Sequence, residues 1–308
     1  MGIQLIVAKR KRSKLHAIEQ KWGIILALPA ILGFLIFTLG PMIASFYFSL
    51  TDWEIGGTFE FIGLENYRYM FVEDDLFRKS MFATIYYAFG SVPLVILVAF
   101  LVALLLNARV KGLSIFRTIY YLPVIVPSIA STMLWLWLFN PDFGLFNALL
   151  KGAGLQGLQW IYDEKTAIPS LILMSTWGIG NAAVIFLAGL QGVPTHLYEA
   201  VDIDGGNALH KLMYVTIPTM TPTIFFNLIM SLIGSFQVFN EAYIMTEGGP
   251  NNSTLFYVFY LFRTAFQETK MGYACALAWI LFLVIMVLTL IVFKSSKSWV
   301  YYEGGDKS

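Results

Sequence analysis

Six separate stretches of this chain are apolar for long enough to cross a bilayer, and that leaves few folds open to it. They run over 22–48, 82–106, 118–139, 168–190, 224–245 and 272–293. A helix rises about 1.5 Å per residue, so about 20 apolar residues bridge a hydrocarbon core some 30 Å thick. No water is present there, so each backbone N–H and C=O must be satisfied within its own segment, and helices follow. Charged residues make up 13% of the chain, about half the share of a soluble domain and too few to cover a water-facing surface. The expected fold is therefore an all-α integral membrane protein with six transmembrane helices. The first stretch has a basic flank like a signal peptide. Its apolar run outlasts the roughly 7–15 residues of a signal core, so it is expected to remain as a span.

Basic residues concentrate on the cytoplasmic side of membrane proteins. Lys9, Arg10, Lys11, Arg12, Lys14 and Lys21 precede the first span, and Arg109, Lys111 and Arg117 lie between the second and third. Lys211 lies between the fourth and fifth, and Lys294, Lys297 and Lys307 follow the sixth. The opposite side carries fewer: Arg68, Arg78, Lys79, Lys151, Lys165, Arg263 and Lys270. Both termini and the fourth-to-fifth connection are thus expected in the cytoplasm. The acid-rich connection holding Glu73, Asp74 and Asp75 is expected outside. The domain reading is a basic cytoplasmic segment at 1–21, one membrane domain at 22–293 with a cytoplasmic loop at 194–222, and a cytoplasmic tail at 294–308. Pro123 and Pro127 lie one turn apart in the third span, where each removes a backbone donor, so a kink is expected.

Several chemistries are poorly served. A net charge of +1 offers no basic face for nucleic acid. The single cysteine, Cys275, cannot form a disulfide framework or a cysteine metal site. His16, His196 and His210 have no ligand spacing, and no nucleophile or paired-carboxylate pattern suggests an enzyme. No GxxxxGK[ST] loop is present to cradle a nucleotide, so no cofactor is expected on this chain.

The fourth-to-fifth connection, EAVDIDGGNALHKLMYVTIP at 199–218, is polar between two apolar runs. Thr195 is expected to cap a short helix reaching about Asp204, with Glu199 near its positive end. Leu197, Ala200, Val201 and Asp204 would share one side of it. Gly205-Gly206 would end it, Asn207 would cap a second short helix, and Pro218 and Pro222 would stop that helix and start the fifth span. A bare interfacial elbow is one reading. Against it, Glu199, Asp202 and Asp204 are poor neighbours for an anionic leaflet, whereas an apolar strip with a polar rim suits a protein groove.

Polar residues inside the spans are the other candidates. Glu241 is the one acid placed within a span, where a central charge costs about 2.5–3.5 kcal/mol. Gln237 and Asn240 sit near it, Ser231 and Ser235 extend the stripe inward, and Trp177 and Asn181 lie one turn apart in the fourth span. Rings, amides and hydroxyls are what a sugar asks of a path: stacking surface and hydrogen-bond partners. The same groups also serve to join helices.

The Glu199-Ala200 start, the glycine at 205 and the Ile217-Pro218 close resemble the EAA loop of bacterial ABC-importer permeases. The loop departs from the usual pattern at Val201 and Gly206, both small changes. The segments TDW at 51–53, FIGLENY at 61–67, FRTIYYLPVIVP at 116–127, LFNPDFGLFN at 138–147 and TEGGPNNST at 246–254 look like the carbohydrate branch of that family. The resemblance implies the type I importer permease fold and an importer subunit in the cell membrane. It also implies a second permease, two ATP-binding subunits that carry the ATP, an extracytoplasmic solute-binding protein and a carbohydrate substrate. Glu199, Ala200, Asp202, Asp204, Gly205, Ile217 and Pro218 would then form the ATPase-coupling site. Trp177, Asn181, Ser231, Ser235, Gln237, Asn240 and Glu241 would line the substrate path. The alternative is an ion-coupled secondary transporter of a small polar solute, a mechanism better suited to buried ionisable pairs.

Overall fold

The computed structural model describes residues 14–108 and 112–301. Lys9, Arg10, Lys11, Arg12, Arg109, Lys111 and Lys307, which enter the orientation reading, lie outside them. Among the described residues the chain is helical apart from loops and one isolated bridge between Thr51 and Phe61. Four helices are long and apolar enough to cross a membrane: Lys21–Phe48, Asp75–Asn107, Ala208–Ser235 and Met271–Trp299. Two further spans are broken in the middle, which makes six if each broken pair is one crossing.

The first span comprises α1 (Lys14–Phe34), a π-helical turn at Leu35–Leu39 and α2 (Gly40–Phe48). None of its apolar window is buried within the chain. Its C-terminal end meets the last span through an edge-on contact of Phe46 with Trp279, centroids 5.1 Å apart. After a short α3 (Glu65–Val72) comes α4 (Asp75–Asn107), the backbone of the body, which packs on α8 (Ala167–Ser175), α9 (Gly180–Gln191) and α12 (Ile217–Ser235).

The third span is broken outright, beyond the expected kink. α5 (Leu113–Ile125) and α6 (Ser128–Leu138) meet at 98°. Val126, before Pro127, is forced out of the helical region to ψ 130°, and Pro127 itself is extended. The fourth span bends by 49° between Gly178 and Gly180.

The fifth span departs from expectation at both ends. Pro218 and Pro222 do not separate it from the loop: α11 (Ala208–His210) runs through a π-helical stretch, Lys211–Thr216, directly into α12. The wider register lets Ile217 N–H reach Leu212 O. The carbonyl of Pro218, whose usual donor would be the missing N–H of Pro222, instead accepts from the Thr221 hydroxyl at 2.7 Å. At the far end α12 stops at Ser235, and the chain resumes in a π turn at Ala242–Thr246 before α13 (Tyr257–Phe262) and α14 (Met271–Trp299).

The motifs that interrupt the apolar runs stitch the loops at one end of the bundle. Asn66 donates to Ser49 O at 3.0 Å and Thr51 O at 2.8 Å, closing the turn after the first span. Gly272 leaves that turn room, since a Cβ there would lie 2.2 Å from Thr51 O. Asn147 is buried, donates to Pro141 O and Leu158 O, and accepts from Leu158 N–H and Trp160 Nε1–H.

Asp74, expected in a water-facing acidic run, is buried. Its carboxylate caps α4 by accepting from Phe77 N–H at 3.0 Å, and it accepts from the hydroxyls of Tyr260, at 2.6 Å, and Tyr273. Replacing it by alanine removes a cap, worth about 1 kcal/mol, and strands hydroxyls at about 1–3 kcal/mol each. Asp74→Ala is expected to lower the melting temperature of the detergent-purified protein by several degrees. Asp75→Ala, which loses only an exposed pair with Arg78, should leave it unchanged. Equal effects would mean that the buried cluster is not a fastening.

Candidate functional site

Three interruptions of the helices meet at one cavity of about 320 Å³. The break between α5 and α6 supplies Pro123, Val126 and Ser128, with Ser131 and Thr132 one turn further on. The bend in the fourth span supplies Ser175, Trp177 and Gly178, and the gap after α12 supplies Glu241. Tyr87 of α4 closes one wall. Irregular backbone at membrane depth is tolerated where it is buried in protein or lines a watery cavity, and here each irregular segment borders the same cavity. The walls combine hydroxyls, a carboxylate and an indole, which together can donate and accept hydrogen bonds and offer an aromatic face.

Trp177 stands edge-on to Trp135, centroids 6.1 Å apart. The indole N–H of Trp135 and the hydroxyl of Ser91, both buried, have no hydrogen-bond partner among the described residues. Glu241 has no ion-pair partner among the described residues.

The structure brings Trp177 and Glu241 to this cavity, and Asn240 stands behind it, donating to Ser128 Oγ at 3.1 Å. Asn181 is exposed and not on its wall. Ser231 and Ser235 do not share a helical stripe with Glu241, because the helix ends at Ser235. Ser235 is buried and its hydroxyl returns to Leu232 O at 2.8 Å, while Gln237 is exposed in the turn beyond. The wall residues that sequence reasoning missed are Tyr87, Ser128, Ser131, Thr132 and Ser175. For Ser128, Ser131 and Thr132 the signal was the run of hydroxyls directly after Pro127, read only as part of a kinked span.

At one end of the fourth and fifth spans, α10 (Thr195–Ile203) forms an elbow with α11. Thr195 does not cap it: Pro194 holds the cap position and Thr195 is the first helical residue. Gly205 lies at φ +74°, the left-handed region that glycine enters freely. A Cβ at Gly206 would lie 2.4 Å from Val201 Cγ1 and 2.9 Å from Val201 O. Asn207 and His210 cap reciprocally: Asn207 Oδ1 accepts from His210 N–H, and His210 Nδ1 accepts from Asn207 N–H. Lys211 bridges back to Asp202 at 2.6 Å.

The elbow's apolar faces divide differently from expectation. Leu197, Tyr198 and Val201 pack inward on the cluster around Leu106, Phe186 and Val215, and the Tyr198 hydroxyl lies 3.1 Å from Thr216 Oγ1. The apolar surface left outside is made by Ile203, 86% exposed, and Tyr214, 74% exposed, with Leu209 and Met213. Glu199, Ala200, Asp202, Asp204 and Gly205 are exposed beside them, and Ile217 and Pro218 are half-buried in the span.

Comparison with known proteins bears on both regions. The model of the family described as "Binding-protein-dependent transport system inner membrane component" matches residues 95–295, which include both the cavity and the elbow apart from Tyr87. A probable ABC transporter permease protein of Bacillus subtilis, YesP, is 41% identical over 283 residues, covering 91% of each chain. The arabinooligosaccharides transport system permease protein AraP of the same organism is 33% identical over 274 residues, covering 88% of this chain and 87% of its own. A chain of a bacterial alginate ABC transporter, crystallised with an alginate pentasaccharide-bound periplasmic protein, superposes with a TM-score of 0.81. It shares 22% identity and is covered over 97% of its length by 93% of this chain, which shows a common fold.

Proposed function

The chain belongs to the family of inner membrane components of binding-protein-dependent transport systems, and on that footing we propose how it works as the permease subunit of an ATP-driven sugar importer. The substrate is a mono- or oligosaccharide delivered by an extracytoplasmic solute-binding protein. It passes between this chain and a second permease, by way of the cavity bordered by Ser128, Ser175, Trp177 and Glu241. The elbow formed by α10 and α11 docks on one of two cytoplasmic ATP-binding subunits. ATP is held there and not on this chain.

One observation carries this reading: three helix interruptions converge on a hydroxyl-lined cavity while a glycine-held elbow on the same spans leaves large apolar side chains exposed. Monomeric proteins rarely leave such a patch uncovered, and an apolar patch rimmed by acids is a docking surface. Movement of the elbow would tilt α12, which is continuous with it, and α9, joined to it by residues 192–194, and so reshape the cavity.

The reading places both termini and the 194–222 loop in the cytoplasm of a bacterial cell, with the acidic connection outside. The domain limits stay at 1–21, 22–293 and 294–308. Membrane-impermeant thiol labelling of intact cells tests it. Cysteines placed at Glu73 or Asn251 should react from outside, and one at His210 only after permeabilisation. Reaction of His210→Cys in intact cells would invert the topology and put the elbow out of reach of any ATPase.

A further inference from the structure

A second pocket, of about 240 Å³, lies about one helical turn along α4 and α8 from the cavity, between the start of α4, the loop before α8 and the turn after the fifth span. Its walls bring together Lys79, Phe82, Tyr86, Glu164, Asn251 and Ser253. Lys79 has no ion-pair partner among the described residues. The Ser253 hydroxyl is buried and has no hydrogen-bond partner among the described residues, although buried polar groups are ordinarily paired. Asn251 and its neighbour Asn252 stand at φ +51° and +61°, two consecutive side-chain-bearing residues in the left-handed region. Such backbone persists where the surroundings impose it, often at ligand sites. Asn251 Nδ2 reaches toward Glu164 Oε2 at 3.4 Å, a long and weak contact that a better partner could replace.

We infer that this pocket is an entry subsite for a single sugar ring, separate from the cavity between the broken helices; the inference rests on the reading of the chain as a sugar permease. The chemistry matches a polyol. Lys79 donates, Glu164 accepts, Asn251 does both, and Ser253 supplies the hydroxyl still lacking a partner. Phe82 and Tyr86, one helical turn apart with centroids 6.4 Å apart and planes at 34°, offer a tilted aromatic platform for the apolar face of the ring. The volume admits one ring. A subsite here would hold the first ring released by the binding protein before it enters the deeper cavity.

Thiol protection tests this in the assembled transporter, in nanodiscs, with Cys275 replaced by serine. Ser253→Cys reports the subsite and Ser131→Cys, in a separate complex, reports the cavity. The probes are D-glucose, L-arabinose and L-rhamnose. At a sugar concentration roughly ten times its dissociation constant, mass action slows maleimide labelling about tenfold. At least one probe should do so at position 253, and Lys79→Met should abolish that protection without altering it at 131. Protection at 253 alone would uphold the subsite and remove the cavity from the path. Protection at 131 alone would overturn the subsite and leave the path standing. Protection at neither overturns the subsite, as does slowing at 253 by sugar-free binding protein and not by sugar, which would make the pocket a protein contact.

Discussion

Ile203→Asp is expected to leave the permease inserted and assembled with its partner permease but to strip it of ATPase. Ile203 is almost wholly exposed at the end of α10, and its side chain supports nothing inside the chain. Central apolar anchors of protein interfaces cost about 2–4 kcal/mol when removed, and a charge in their place costs more. Affinity for the ATP-binding subunit should fall by thirtyfold or more, since about 1.4 kcal/mol is a factor of ten. Tyr214→Ala should act in the same direction. Glu199→Lys reverses a charge at the rim, and Gly205→Val forces a branched side chain to φ +74° at a cost of about 1–2 kcal/mol. Those two should weaken docking, or leave the ATPase bound but unable to drive uptake. Leu197→Ala serves as contrast, because Leu197 packs inward and its loss should lower stability. The readout is co-purification of the ATPase together with ATP-driven uptake in proteoliposomes. Normal binding and uptake by Ile203→Asp would reduce the elbow to a connector.

Emptying the cavity of its two most distinctive groups is expected to slow transport at intact coupling. Trp177→Ala removes the aromatic face, and Glu241→Leu removes the one carboxylate on the wall. A hydrogen bond to a group left unpaired is worth about 1–3 kcal/mol, so uptake should fall by about ten- to a hundredfold. ATPase activity without substrate should persist, since neither residue touches the elbow. Ser235→Ala should change little, because the Ser235 hydroxyl is occupied with the Leu232 carbonyl. The reverse pattern, with loss at Ser235 and none at Trp177 or Glu241, would move the path to the stripe on α12.

Much of this architecture could be read from the sequence, and the misreadings have a common cause. The six apolar runs identified the spans because hydrocarbon demands internally satisfied backbone. Gly205 identified a left-handed turn because glycine alone enters it freely. Asn207 identified a cap for the same local reason. What failed were inferences that depended on tertiary partners. Pro218 and Pro222 read as helix stops, yet the helix runs through them by way of a π-helical stretch, and a Thr221 hydroxyl takes the carbonyl that Pro222 leaves bare. Ser231, Ser235 and Glu241 read as one stripe because the break after Ser235 has no proline or glycine within it to announce it. Leu197 and Val201 read as the partner-facing strip because periodicity finds an apolar side without saying which neighbour covers it. Asp74 read as solvated because its tyrosine partners lie some 190 residues away in the chain.

ATP-driven movement of the elbow is the proposed source of transport. The decisive measurement is uptake of radiolabelled sugar into proteoliposomes containing this chain, its partner permease and the ATP-binding subunits. Sugar-loaded binding protein is supplied on one side and ATP on the other. Uptake should require both, survive ionophores that collapse proton and sodium gradients, and vanish in Ile203→Asp. Uptake that follows an imposed ion gradient in liposomes lacking the ATP-binding subunits would contradict the account and make the chain a secondary transporter.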